Sequence, residues 1–275
     1  MVARAVAGLV FALALKAQPQ RIVSTFPSIT ETLFAIGLGD RVVGVSNYCR
    51  YPPAAVSLPK VGSYIKPDAE KIALLRPDLV ILRKGASGLA DRLSALGIAH
   101  AEVTLGSLSD VYAMIREVGM AAGANDRAEK LNGQIRARLD TFRAETAGQA
   151  KVKVLVIVGR TPGMLTNLIA VGPSAYLGEL LQIAGGENIL TERAISYPHI
   201  SLETVVRADP DVILDVSGMS DAASGDDRPW LAHRELRAVQ NARVFALPPE
   251  PLTTPGPRVV EAVELLRSTI YRNRP

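Results

Sequence analysis

Short apolar runs alternate with amphipathic stretches along most of the chain. Ile22 to Thr25, Val42 to Val45, Leu79 to Leu82, Ala101 to Val103, Lys151 to Val158, Val212 to Val216 and Val244 to Leu247 read as buried strands. Helical spacing fills the intervals. Thr30 to Ile36 reads as a helix with Ser28 as N-cap and Glu31 completing a capping box, stopped by Gly37 and Gly39. Ala69 to Leu75, Asp91 to Leu96, Ser109 to Met120 and Asp126 to Ala147 follow. In the second half, Ser174 is expected to cap a helix ending near Ala184, and Ser201 to cap another. A closing helix reaches Tyr271 with Pro257 in its first turn. Asp221 to Asp227 reads as a polar, mobile loop. Strands alternating with helices predict an α/β fold with mainly parallel sheets covered on both faces.

One segment occurs twice. EKIALLRPDLVIL from Glu70 and ETVVRADPDVILD from Glu203 share an offset of 133 residues (203 − 70), which also relates Pro77 to Pro210 and Asp78 to Asp211. Each copy predicts a short helix, a Pro-Asp stop and a buried strand. So long a period excludes a solenoid and points to two α/β lobes facing each other across a cleft. The stretch from Asp126 to Ala147 would be about 33 Å long as a helix, enough to cross a small domain. Its Leu131, Ile135, Leu139 and Phe142 recur at helical spacing. Periodicity alone fits equally a strut between lobes and an amphipathic helix inside one large domain. With the strut reading the chain divides into 1–17, an N-terminal lobe 21–124, a connecting helix 125–148 and a C-terminal lobe 149–275.

Composition adds constraints. A formal charge of +4, scattered over a chain with 21% charged residues, gives no basic stripe for nucleic acid. Arg4, the apolar run Ala5 to Leu15 and the polar Gln18-Pro19-Gln20 after Ala17 predict an export signal, with a buried N-terminal helix as the alternative. No later run reaches the roughly 18 apolar residues of a spanning helix, so the mature chain is expected to be soluble. Cys49 is the one cysteine, which excludes an internal disulfide and a lipid-bearing cysteine after the signal.

Catalytic motifs are absent: no GxSxG elbow, P-loop or HExxH occurs, and Gly37-x-Gly39 follows a helix rather than a strand. His100, His199 and His233 lack metal-ligand spacing, and Cys49 reads as a structural thiol. The informative positions are loops beyond strand ends, where open α/β sheets bind ligands. These hold Pro27-Ser28, Asn47-Tyr48, Arg83-Lys84-Gly85, Arg160 to Gly163, Ser217-Gly218 and Pro249-Glu250-Pro251. Tyr48, Tyr51, Tyr64 and Tyr197 add flat apolar faces with polar tips, suited to a bulky ligand with ring surface and polar rim. Taken singly, Tyr51 and Tyr197 also fit packing against Pro52 and Pro198.

These residues carry a resemblance. RIVSTFPSITETLFAIGLGDRVVGVSNYCRYPP, KPDAEKIALLRPDLVIL, LLQIAGGENI, YPHISLETVVRADPDVIL and PGPRVVEA are similar to the periplasmic solute-binding proteins of ABC importers for vitamin B12, iron-siderophores and haem, over nearly all of Arg21 to Tyr271. The resemblance implies two Rossmann-like lobes joined by one long helix, with little hinge motion, and a monomer without catalysis, metal or cofactor. It implies that Glu70 and Glu203 dock onto arginines of a permease dimer with its ATPase. The pattern lies nearest the cobalamin-binding members. That likeness implies ligand contacts from Pro27, Ser28, Tyr48, Tyr64, Arg83, Lys84, Arg160, Tyr197, Glu250, Pro251 and Leu252. The chain departs from the cobalamin pattern by having Tyr64, Arg83 and Tyr197 where tryptophans stand, and Pro251, Leu252 and Thr254 where an aromatic pair and an arginine stand. Arg83, Lys84 and Arg160 would suit an anionic ferric siderophore or haem instead. An α/β-cleft enzyme is the rival of another class.

Overall fold

The computed structural model describes residues 18–86, 88–218 and 228–272. The run 1–17 and the loop 221–227 lie outside the described residues. In chain order the elements are β1 (Ile22–Ser24), α1 (Pro27–Ala35), β2 (Val42–Val45), α2 (Pro53–Val56), α3 (Ala69–Leu74), β3 (Leu79–Arg83), α4 (Leu89–Ala95), β4 (His100–Val103) and α5 (Leu108–Ala122). After α6 (Asn125–Thr146) come β5 (Val152–Gly159), β6 (Leu168–Ala170), α7 (Tyr176–Ile183), β7 (Gly186–Asn188), β8 (His199–Ile200), α8 (Leu202–Ala208) and β9 (Val212–Asp215). The chain finishes with α9 (Arg228–Leu231), α10 (Arg237–Gln240), β10 (Val244–Ala246) and α11 (Val259–Ile270).

Two separate sheets result. The first is wholly parallel, in the order β2-β1-β3-β4. The second has the order β10-β9-β5-β6-β8, with β7 also paired to β5. Here β10, β9, β5 and β7 pair in parallel, while β6 runs antiparallel to β5 and β8. The segments β6, β7, β8, α2, α9 and α10 escape a periodicity reading because each is only two to four residues long.

Strand alternation sorts the side chains into layers. Val23, Val80 and Leu82 turn outward onto Ile72, Leu89 and Leu93 of α3 and α4. Leu155, Ile157 and Ile213 turn outward onto Val205, Trp230 and Ala238. The opposite faces, Ile22 and Ile81 in one sheet and Val154, Val156 and Leu214 in the other, belong to a single continuous core. Between them lie α1, α5, α6, α7 and α11, contributing Leu33, Ile115, Leu139, Phe142, Leu180 and Leu266. The two lobes therefore share their largest core across a layer of helices.

The helix α6 runs through this layer. Ile135, Leu139 and Phe142 bury one stripe, each contributing about 1.5–3 kcal/mol by removal from water. On the polar side Arg138 pairs with Glu264 at 2.8 Å, and Glu145 pairs with Arg267, both bonds reaching α11. Gly123, with φ +70, ends α5 in the left-handed conformation and lets the chain turn into α6.

Three helix starts differ from expectation. Extended Phe26 is the N-cap of α1 and Pro27 begins the helix. Proline needs no partner for its missing N–H, so the start moves ahead of Ser28, which becomes an internal, fully buried residue. Ser174 does not cap α7: Ala175 does, and the Ser174 hydroxyl donates to the Arg193 carbonyl at 2.9 Å. Pro257 precedes Arg258, the N-cap of α11, and so lies outside that helix. Ser201, in contrast, accepts from the Thr204 N–H at 3.2 Å and caps α8 as its sequence predicts.

The duplicated segment is duplicated in detail. Arg76 and Asp209, at matching positions before the prolines, both take positive φ, 46° and 41°. Asp78 accepts from the Gln20 and Arg21 N–H groups at 2.8 and 2.9 Å, and its own N–H donates to the Arg21 carbonyl. Asp211 accepts from Lys153 N–H at 2.9 Å and donates to the Lys153 carbonyl. Each aspartate thus fastens the start of the neighbouring central strand. Asp78→Ala and Asp211→Ala should each lower unfolding free energy by about 1 kcal/mol, read by urea denaturation, and the two losses should add because they sit on different sheets.

Candidate functional site

The carboxyl ends of the first sheet carry an aromatic rim. Phe26, just after β1, meets the Tyr64 ring edge-on at 5.1 Å between centroids, and Tyr48 also meets Tyr64 edge-on at 5.1 Å. Tyr48 is 45% exposed and Tyr51, in the same loop, 40%. Beneath them Cys49 is buried, its Sγ 3.1 Å from the Thr30 hydroxyl. Burial pushes its thiol pKa up, with the Thr30 hydrogen bond working the other way. The Lys60 ammonium donates to the Cys49 and Ala55 carbonyls at 3.3 and 3.1 Å, which ties this loop down from behind.

The second sheet is organised around Asp215, the last residue of β9 and fully buried. It accepts from Arg160 Nε at 2.8 Å, from Trp230 Nε1 at 2.9 Å and from the Ser217 N–H at 3.0 Å. The Arg160 side chain is only 4% exposed, so its charge is neutralised inside the lobe.

The two rims meet at Arg258. Its guanidinium donates twice to Glu31 of α1, at 2.7 and 3.0 Å, and once to Glu250 at 3.0 Å. It also stacks over the Tyr51 ring, 4.1 Å from the centroid. Both charged groups of the main pair are sequestered, Arg258 at 11% and Glu31 at 2% side-chain exposure. Burial pushes the Glu31 carboxyl pKa up, while the Arg258 hydrogen bonds and charge pull it back; the partners hold Arg258 firmly protonated. Close by, a Cβ placed on Gly256 would stand 3.2 Å from the Ser28 Cβ, so glycine permits the approach of the two lobes here. A second tie joins the lobes elsewhere: Glu179 of α7 accepts the Leu108 N–H at 2.7 Å, placing a carboxylate of one lobe on the first turn of a helix of the other.

Of the residues expected to face a ligand, Pro27, Tyr48, Tyr64, Arg83, Lys84, Tyr197, Glu250 and Pro251 keep accessible surface, with Tyr197 49% exposed. Ser28 and Leu252 do not, because each is fully buried in the packed interior. Arg160 is likewise withdrawn by Asp215. Tyr197 leads into β8, the edge strand of the second sheet, rather than following a parallel strand. Sequence reasoning missed Arg258, read only as part of a helix start, and its pairing with Glu31, read as a cap. The available signals were an acidic residue on a helix that must bury its face and an arginine beside Pro257. Glu70 and Glu203 are exposed second residues of α3 and α8, with Glu203 also pairing to Arg207 at 2.8 Å. Among the described residues no cluster of metal-ligating side chains occurs, and no helix is long and apolar enough to cross a membrane.

This architecture and its rims define a class. Residues 22–251 match the family described as periplasmic binding protein, and the chain belongs to that family of solute-binding proteins, which removes the enzyme alternative. It is 31% identical over 265 residues to an uncharacterized ABC transporter substrate-binding lipoprotein, YvrC of Bacillus subtilis, covering 94% of this chain and 82% of that protein. It is 30% identical to the vitamin B12-binding protein of Vibrio cholerae, covering 89% and 87%. The periplasmic heme-binding protein RhuT from Roseiflexus sp. RS-1 superposes with a TM-score of 0.80 at 29% identity, covering 92% of this chain and 98% of that one.

Two consequences follow for the buried groups. Asp215→Ala should cost about 3–5 kcal/mol in chemical denaturation, because the Arg160 charge and the Trp230 N–H lose their common acceptor. Cys49 in the folded protein should react with Ellman's reagent at pH 8 at least about tenfold more slowly than free cysteine, and at the free rate after denaturation, since its raised pKa leaves less thiolate and burial blocks access.

Proposed function

We propose that this chain is the exported, monomeric ligand-binding subunit of an ABC importer, capturing cobalamin or a related corrinoid between its lobes and delivering it to a permease dimer with its ATPase in the periplasm. The observation that carries the reading is the Phe26–Tyr64–Tyr48 rim, whose edge-to-face rings offer a rigid, uncharged surface for a large macrocycle. Similarity to the vitamin B12-binding relative supports it. Charge supports it as well. With Arg160 neutralised by Asp215 and Arg258 by Glu31 and Glu250, the rims hold less free positive charge than the sequence suggests, which suits a ligand of low net charge.

The second reading is haem or a ferric siderophore. The exposed Arg83-Lys84 pair at the end of β3 favours it, as does the similarity to a heme-binding structure. Tyr48, Tyr64, Tyr197, Glu250 and Pro251 are the proposed contacts in either case, with Pro27 at the edge. Glu70 and Glu203, at matching places on duplicated helices, suit docking onto a two-fold partner. Exposed ion pairs contribute only ~0–1 kcal/mol each, so they would set orientation more than affinity.

Calorimetry of the mature chain against cyanocobalamin, haemin and ferric siderophores separates the readings. Saturable micromolar or tighter binding of cyanocobalamin is expected, and preference for haemin or a siderophore would overturn the corrinoid choice. Tyr48→Ala should weaken binding by about 1–2 kcal/mol. The Glu70→Ala/Glu203→Ala double variant should bind ligand normally yet support less uptake in vesicles carrying the cognate permease and ATPase; normal uptake would dismiss the docking role.

A further inference from the structure

We propose that Arg258 is a positioning residue: without touching ligand, it sets the angle between the lobes and the spacing of the two rims. The argument starts from what one guanidinium holds. Glu31 belongs to α1, in the first lobe, and lies 227 positions away from Arg258 in sequence. Tyr51 belongs to the loop after β2, three residues from the rim tyrosine Tyr48, in that same lobe. Glu250 belongs to the loop after β10, in the second lobe, among the proposed ligand contacts. The planar fork fills both Glu31 oxygens and one Glu250 oxygen while its face rests on the Tyr51 ring, so a shift of either rim breaks a bond.

The surroundings leave little alternative. The Glu31 carboxylate is almost completely buried, and a buried charge that loses its partner is costly, so α1 and the start of α11 must stay together. The backbone between them is pressed as close as glycine allows, Gly256 against Ser28. Lysine could keep the charge but could satisfy neither the two-oxygen grip nor the stack. Glu250 is one-third exposed, so its bond to Arg258 fixes the carboxylate without burying it. An importer subunit whose ligand touches both rims would therefore feel the loss of Arg258 as a loss of register. That consequence for affinity rests on the ligand-binding function proposed above; the consequence for lobe geometry does not.

The test separates the two. Spin labels on Leu74→Cys and Arg207→Cys, exposed matching positions on α3 and α8 of the two lobes, with Cys49→Ala to remove the native thiol, report the distance between lobes by pulsed electron resonance. Arg258→Lys and Glu31→Gln should each broaden that distance distribution at least about twofold relative to the labelled parent, with secondary structure retained. Glu250→Gln, which leaves the Glu31 grip intact, should keep the narrow distribution and serves as the variant that tests the rim alone. For whichever ligand the parent binds, Arg258→Lys and Glu250→Gln should each weaken binding, and their effects should be less than additive because both release the same loop. Distributions as narrow as the parent's in both Arg258→Lys and Glu31→Gln would overturn the proposal. So would strictly additive binding losses. A parent that binds none of the ligands would refute the importer reading, while the distance measurement would still decide the role of Arg258.

Discussion

A carboxylate taken out of water must meet a positive charge or take up a proton, and in this molecule the charge that meets Glu31 arrives from the far end of the chain. Much of the architecture is organised by that requirement. To bring Arg258 to α1, α11 must begin at the seam between the lobes, which places the loop after β10 opposite the loop after β2. The shared helical layer makes this arrangement stiff. Leu33, Leu139, Leu180 and Leu266, from four helices on both sides, lie in one core rather than two. A molecule whose lobes share a core cannot swing wide open on a loop hinge without exposing that core, which leaves small changes of angle for Arg258 to restrain. The Glu179 carboxylate on the first turn of α5 reinforces the seam where Arg258 does not reach.

The duplicated segment shows how the same physics is used twice. A residue in the left-handed conformation, then proline, then an aspartate that pins the adjacent central strand appears at Arg76 to Asp78 and again at Asp209 to Asp211. Positive φ in a residue other than glycine carries a cost, and proline next to it stops the helix and sends the chain into the sheet. In the second copy Asp209 also accepts from the Arg237 N–H at 2.9 Å, and its carboxyl lies below the usual carboxylate range for that reason. The first copy has Arg76 there, whose carbonyl accepts from the Arg21 guanidinium instead. Similar geometry is thus held by different partners in the two lobes. Because α3 and α8 start in the same way relative to their sheets, Glu70 and Glu203 take matching positions.

Long apolar strands and long helices were legible from sequence, and the reasons are local. β2 is bounded as its VVGV run predicts, and α6 differs from its expected span by one residue at each end, because its buried stripe from Ala128 through Ile135, Leu139 and Phe142 to Thr146 repeats over about five turns. What escaped was either too short or too distant. The antiparallel pairs of β6 with β5 and β8 involve two or three residues, too few to show an alternation. Ser28 looks like a cap because it follows a proline at the end of an apolar run, whereas Pro27 supplies a helix start that needs none. The site shows the same division. Tyr48 and Tyr64 are legible from their loops, but the edge-on contact between their rings is not, and neither are Arg160–Asp215 or Arg258–Glu31. Such pairs depend on the assembled sheets, which no window of sequence contains.

Stiffness also bears on how such a receptor gains affinity. Association costs translational freedom and any ordering of the surfaces that meet, and a cleft already held in shape avoids much of the second cost. The rims here are ordered by contacts that do not need the ligand: Lys60 behind the Tyr48 loop, Asp215 behind Arg160, and Arg258 between the rims. In each case a charge is spent internally, while Tyr48 and Tyr51 stay exposed on either side of the exposed Arg50. On the proposed reading recognition would rest on shape and ring contact more than on ion pairing, with Arg50, Arg83 and Lys84 as exposed cations of the strand-end loops. On the proposed reading, a site with that balance would discriminate by the outline of a macrocycle, an outline shared in part by corrin and haem. That is a physical reason for relatives with different cargoes to have the same frame: the frame fixes the rims, and a few exposed side chains at their edges decide what fits.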